Sequence, residues 1–134
     1  LSADSGGLQD RHSGGKGQLI TATGEGSTVN ISGGNFKPSG SEFKLVEAQS
    51  GAVVNVTGGT FSCSGAGSVV FYANGGTIII SDCKVWVNGN IFQIENGGQI
   101  VVTGGTFSKD PSDYVDLNNY NVTRTGSYYT VTAK

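Results

Sequence analysis

The segment Val56-Thr57-Gly58-Gly59-Thr60-Phe61-Ser62 returns letter for letter as Val102-Thr103-Gly104-Gly105-Thr106-Phe107-Ser108. A looser copy reads Ile31-Ser32-Gly33-Gly34-Asn35-Phe36-Lys37, and a degenerate one reads Ile80-Ser81-Asp82-Cys83-Lys84-Val85-Trp86. The copies are anchored at positions 31, 56, 80 and 102, so their spacings are 25, 24 and 22. Self-similarity at this period marks a repeat architecture: one unit cannot bury its apolar face alone, and its neighbours complete the core.

Each unit opens with a turn: Gly24-Glu25-Gly26, Gln49-Ser50-Gly51, Asn74-Gly75-Gly76 and Asn96-Gly97-Gly98. A four-residue strand follows, at 28–31, 53–56, 77–80 and 99–102. Strict alternation puts Val29/Ile31, Val54/Val56, Ile78/Ile80 and Ile100/Val102 on one face. The Gly-Gly corner comes next, then a second strand centred on Phe36, Phe61, Val85 and Phe107. A third strand is read at 42–48, 68–73, 90–95 and, weakly, 114–117. Apolar residues at helical spacing over ten or more positions are missing. A sandwich of hairpins also has frequent turns, but it gives no reason for apolar, Gly-Gly and Phe positions to recur together. Stacked identical coils do.

The expected fold is therefore an all-β, right-handed parallel β-helix (solenoid) of about four coils. The hand is the one expected of parallel crossovers. Residues 1–17 read as a flexible tail or linker and 18–134 as a single domain, with coils over about 24–117 and a cap over 118–134. The cap is a hairpin, residues 120–124 and 128–132 around Thr125-Gly126-Ser127, and it would protect an open solenoid edge.

Composition narrows the function. With 8 basic and 10 acidic residues the net charge is −2, no footprint for nucleic acid or an anionic membrane. No apolar run approaches the roughly 18 residues of a membrane span. The chain begins at Leu1 and contains no Met, which reads as a processed product or an excised segment.

Catalytic and metal-binding parts are scarce. His12 is the single histidine and reads as a solvated linker residue, so neither a His-based metal cluster nor a Ser-His-Asp triad has its parts. Glycan-cleaving enzymes need two carboxylates flanking one bond, but Glu42, Glu47, Asp82, Glu95, Asp110, Asp113 and Asp116 fall at different points of the repeat. Asp82 replaces a corner glycine and reads as a turn residue. Asp110, Asp113 and Asp116 make at most a weak calcium loop. No catalytic residue, metal or cofactor is expected. Cys63 and Cys83 are either a disulfide or two separate thiols. The repeat register sets Cys83 opposite Gly59, four residues short of Cys63, which is about 13 Å of strand. Asn74 and Asn96 read as a turn ladder, each side chain bonding the backbone of the next coil.

The outward positions carry the binding expectation. Alternation turns Asn30, Asn55, Ile79 and Val101 outward. Val53 joins them, with Trp86 and Tyr72 nearby. An exposed apolar row marks an interface or lies under the protein's own cap, and both readings stand on the sequence. The candidate binding residues are Val53, Tyr72, Ile79, Trp86 and Val101.

The pair Gly-Gly-Thr-Phe-Ser at 58–62 and 104–108 resembles the repeats of right-handed β-helical segments in large surface proteins of gut-dwelling Gram-positive bacteria. So does the ending from Gly104 through Tyr114-Val115 to Tyr128-Tyr129-Thr130-Val131. The similarity covers residues 24 to the C-terminus. It implies an extracellular or cell-surface, non-enzymatic binding or adhesion module whose partner is a host protein, immunoglobulins among them, or a glycan. Two other classes compete: a self-associating structural stalk or coat component, as in a bacteriophage fibre or capsid-decorating protein, and a fragment of a β-helical polysaccharide-active enzyme.

Overall fold

A computed structural model describes the backbone of residues 2–9, 16–36, 42–63, 67, 69–87 and 89–134, with side chains for all of these except 2–9, 16–19, 42–43 and 63. The fold is nearly all β, a parallel β-solenoid of about three turns. The strands stack in three rows. The first row contains the end of β2 (Lys16–Ile31), then β5 (Val53–Val56), β8 (Thr77–Ile80) and β11 (Gln99–Val102). The second contains β3 (Asn35–Phe36), β6 (Thr60–Cys63), β9 (Lys84–Val87) and β12 (Gly105–Phe107). The third contains the start of β2, then β4 (Glu42–Gln49), β7 (Val69–Asn74) and β10 (Asn90–Glu95).

The register follows the repeat. Ile31, Val56, Ile80 and Val102 pair in sequence along the first row. Phe36, Phe61, Val85 and Phe107 do the same along the second. The alternating Val and Ile positions of the first row are buried as expected. Thr57, Ser81 and Thr103 follow the anchors, and each hydroxyl reaches the carbonyl of the coil below at 3.3 Å. At the corner, Gly59 and Gly105 have φ of 107° and 109°, the region open to glycine. A Cβ on Gly58 would lie 2.5 Å from the Ser32 carbonyl oxygen, so the first glycine allows close stacking and the second allows the turn. Cys83 takes the second-glycine place without a positive φ, and the degenerate coil turns its corner differently.

Four features differ from the sequence reading. The repeats read as about four coils, but the last third-row strand, at 114–117, does not form. A 3-10 turn, Ser112–Tyr114, stands there. Pro111 has no N–H for a ladder. Asp110 and Asp116 accept the backbone N–H groups of Ser112 and Asn118, which closes local turns instead. Second, β2 is one continuous strand of 16 residues. It bends from the third row into the first at Gly24 and Gly26, whose φ values are 98° and 81°. Third, residues Ser2–Gln9, inside the segment read as a tail, form β1 and lie antiparallel on β2. Fourth, the C-terminal hairpin of β13 (Tyr120–Thr125) and β14 (Tyr128–Ala133) pairs with β12 only. It extends the second row and leaves β10 and β11 as the last strands of the other two.

The second-row column Phe36, Phe61, Val85 and Phe107 joins a wider aromatic path through the core. Phe36 and Phe61 stack with centroids 4.9 Å apart, but Val85 interrupts the column. Phe71 and Phe92 of the third row complete the aromatic path: Phe61 meets Phe71 at 5.2 Å, Phe71 meets Phe92 at 6.1 Å, and Phe92 meets Phe107 at 5.6 Å. Tyr114 covers Phe92 at 4.5 Å.

Candidate functional site

The first row carries the outward apolar positions. Asn30, Asn55, Ile79 and Val101 pair in register as one column. Its lower half is an amide ladder, with Asn55 Nδ2 donating to Asn30 Oδ1 at 3.0 Å. Its upper half is aliphatic and open to solvent: Ile79 is 37% exposed and Val101 40%. Val53 is half-buried and stands in the neighbouring column, paired with Thr77. Trp86 is 47% exposed, on β9 of the second row opposite Ser62. The structure thus unites Ile79 and Val101, with Val53 beside them, and places Trp86 on a different row.

Tyr72 departs from that group. It lies in the third row and is only 6% exposed. Glu47, Tyr72 and Gln93 form one column there. The Lys44 ammonium sits 4.6 Å over the Tyr72 ring, a cation–π contact. The Tyr72 hydroxyl donates to Glu95 Oε2 at 2.6 Å, and Gln93 Nε2 donates to Glu95 Oε1 at 2.6 Å. Glu47 is fully buried and accepts Gln49 Nε2 at 2.5 Å and Asn74 Nδ2 at 3.4 Å. Asn96 Nδ2 in turn donates to Asn74 Oδ1 at 2.5 Å. The expected Asn74–Asn96 ladder therefore exists, but it runs side chain to side chain.

Counted from the repeat anchors, these acids fall at different points of the sequence repeat. Aligning the third strands on Ala48, Ala73 and Ile94, which pair in register, brings Lys44, Glu47, Tyr72 and Glu95 onto one row. The hydrogen bond to Glu95 pushes the Tyr72 phenol up to about 12, with burial and the Glu95 and Glu47 charges adding. The same bond, followed by that from Gln93, holds the Glu95 carboxyl below its ordinary value. Both groups keep their neutral-pH forms, phenol and carboxylate, and neither is poised to exchange a proton there.

The remaining candidates do not converge. His12 lies outside the described residues. Cys83 is a free, buried thiol, and Cys63 pairs with Val87 in the ladder. Burial, and then the charge of Asp82, pushes the Cys83 thiol up. Among the described residues no group of three or more His, Cys, Asp or Glu side chains is gathered as metal ligands. Nor is any helix there long and apolar enough to cross a membrane. A polar groove of about 610 Å³ runs along the turn side, lined by Glu25, Gln49, Ser50, Asn74 and Asn96 with Gly51 and Gly75.

No protein-family model, curated protein or solved structure matches this chain.

Proposed function

We propose that this chain is a non-enzymatic binding module of an extracellular bacterial surface protein, a right-handed solenoid that presents a rigid outer row to a host protein. The observation that carries this reading is the adjacent, in-register pair Ile79 and Val101, both open to solvent on one parallel row. Two aliphatic side chains one coil apart make a continuous apolar band, and a partner gains from dehydrating it. An exposed strip of this kind suits a protein surface better than a small ligand, which prefers concavity. The resemblance of the Gly-Gly-Thr-Phe-Ser repeats to bacterial surface segments supports the extracellular setting and brings in immunoglobulins and glycans as candidate partners.

The third-row cluster argues against the enzyme alternative. Glycoside hydrolysis needs a carboxylic acid raised toward neutral pH beside an ionised one. Here Glu95 is held low and the Tyr72 phenol is held protonated.

The test is the double variant Ile79→Lys/Val101→Glu, assayed for melting temperature and for capture of serum immunoglobulin and mucin glycans by the wild-type chain and by the variant. Unchanged melting together with lost capture supports the outer row as the binding face. Unfolding of the variant would assign the band to the protein's own core. Hydrolase or lyase turnover on polysaccharide that disappears with Glu95→Gln would replace the reading altogether.

A further inference from the structure

The third row ends with its interior unfinished. Ala22, Ala48, Ala73 and Ile94 form one inward column, and Ile20, Val46, Phe71 and Phe92 form the next. Every member of both columns is buried except those in β10: Ile94 is 41% exposed and Phe92 is half-buried. These side chains are core by register, and among the described residues no further third-row strand stacks on them. β10 is also the terminal strand of its sheet. Tyr114 covers part of Phe92, and none of the described residues pairs with the free edge of β10 beyond that ring.

We infer that the free edge of β10 is a docking site for an extended strand of a partner protein, carrying apolar side chains at positions i and i+2 and a basic one at i+3. The occupant's conformation follows from the edge. A row of unpaired N–H and C=O groups is completed by another strand and by little else. Its side-chain pattern follows from the columns: one apolar residue over Phe92, a second over Ile94. The residue over Glu95 is basic, because this carboxylate is exposed and held ionised by Tyr72 and Gln93. Like charges directly opposite across a ladder are unfavourable. Existing coils show the same fit, as β10 itself lies in register on β7 with Phe92 over Phe71. The site is separate from the Ile79–Val101 band and stands whether or not that band binds anything.

The test uses the full chain and a fluorescein-labelled peptide, Asn-Ile-Phe-Gln-Ile-Lys-Asn, which is residues 90–96 with Lys in place of Glu95. The expected result is saturable binding in fluorescence anisotropy, weakened at least about tenfold by Ile94→Lys. The parent peptide with Glu should bind more weakly, and the difference should shrink in high salt. Ile94 is already exposed, so Ile94→Lys should keep its circular dichroism and melting temperature. Absence of binding, or equal binding of a scrambled peptide of the same composition, overturns the proposal. So does a dimer in light scattering that Ile94→Lys converts to monomer, because the edge would then belong to a second copy of this chain.

Discussion

The Tyr72 hydroxyl donates to Glu95 Oε2 across 2.6 Å, tying β7 to the end of β10. The bond shifts both groups, in opposite directions. Glu95 is held below its ordinary value of 4.5, so its contribution to stability is present above that value and lost as pH falls through the lower folded one. Tyr72 is raised from 10.0 to about 12, so its contribution is present below 10.0 and lost as pH rises toward 12. Tyr72→Phe should therefore melt below wild type across the intermediate pH range, with the gap narrowing at both extremes. A gap that is the same at every pH would mean that the phenol acts by packing alone.

The aromatic path gives a second prediction. Phe61 is fully buried, stacked on Phe36 and edge-on to Phe71. Phe61→Ala should cost about 3–5 kcal/mol in a denaturant titration. Val85→Phe would restore the repeat in the sequence, yet it should destabilise by about 1–3 kcal/mol. The reason is that Val85 is fully buried between the Phe61 and Phe107 positions, where Phe71 and Phe92 complete the aromatic path. Stabilisation by Val85→Phe would show that a cavity stands there.

Much of this fold was legible in the sequence because one register error would break every column at once. The four first-row strands, the second-row centres and the terminal hairpin follow from the anchors at 31, 56, 80 and 102. The third row was less legible, since variable loops precede it and its residues drift relative to the anchor. That drift hid the meeting of Glu47, Tyr72 and Glu95, and it made Tyr72 look like a neighbour of Ile79. The outward column of Asn30, Asn55, Ile79 and Val101 needed only alternation. The open end at Ile94 was invisible because the hairpin reads as a cap for the whole solenoid, and only strand pairing reveals that it covers one row of three.

A corner glycine and a turn glycine separate by substitution. A Cβ on Gly104 would overlap the Ser81 carbonyl oxygen, whereas one on Gly97 meets nothing within 4 Å. Gly97 has φ of 79°, so Gly97→Ala should cost only the left-handed penalty of about 1–2 kcal/mol. Gly104→Ala should cost more, because backbone of the adjacent coil must shift to admit the methyl group. Reversal of that order in thermal melts would show that the coils are not stacked as closely as their ladders require.

The degenerate corner offers a direct probe of coil opening. Cys83 fills a glycine place, is buried, and has its thiol pushed up by desolvation and by Asp82. The thiolate is the reactive form, so the native chain should label with iodoacetamide at this position far more slowly than the same chain in denaturant. The site of labelling is read by peptide mass spectrometry, which separates Cys83 from Cys63. If the corner opens locally, labelling proceeds at denaturant concentrations well below the unfolding midpoint. If it opens only with the whole solenoid, labelling rises along the unfolding curve itself. The second outcome is expected, because Cys83 belongs to the continuous core and its coil is held on both sides, with Lys84 N donating to the Gly59 carbonyl at 3.0 Å and Thr106 N to the Cys83 carbonyl at 2.8 Å. Labelling as fast as a free thiol in native buffer would show that Cys83 is not packed against its neighbouring coils.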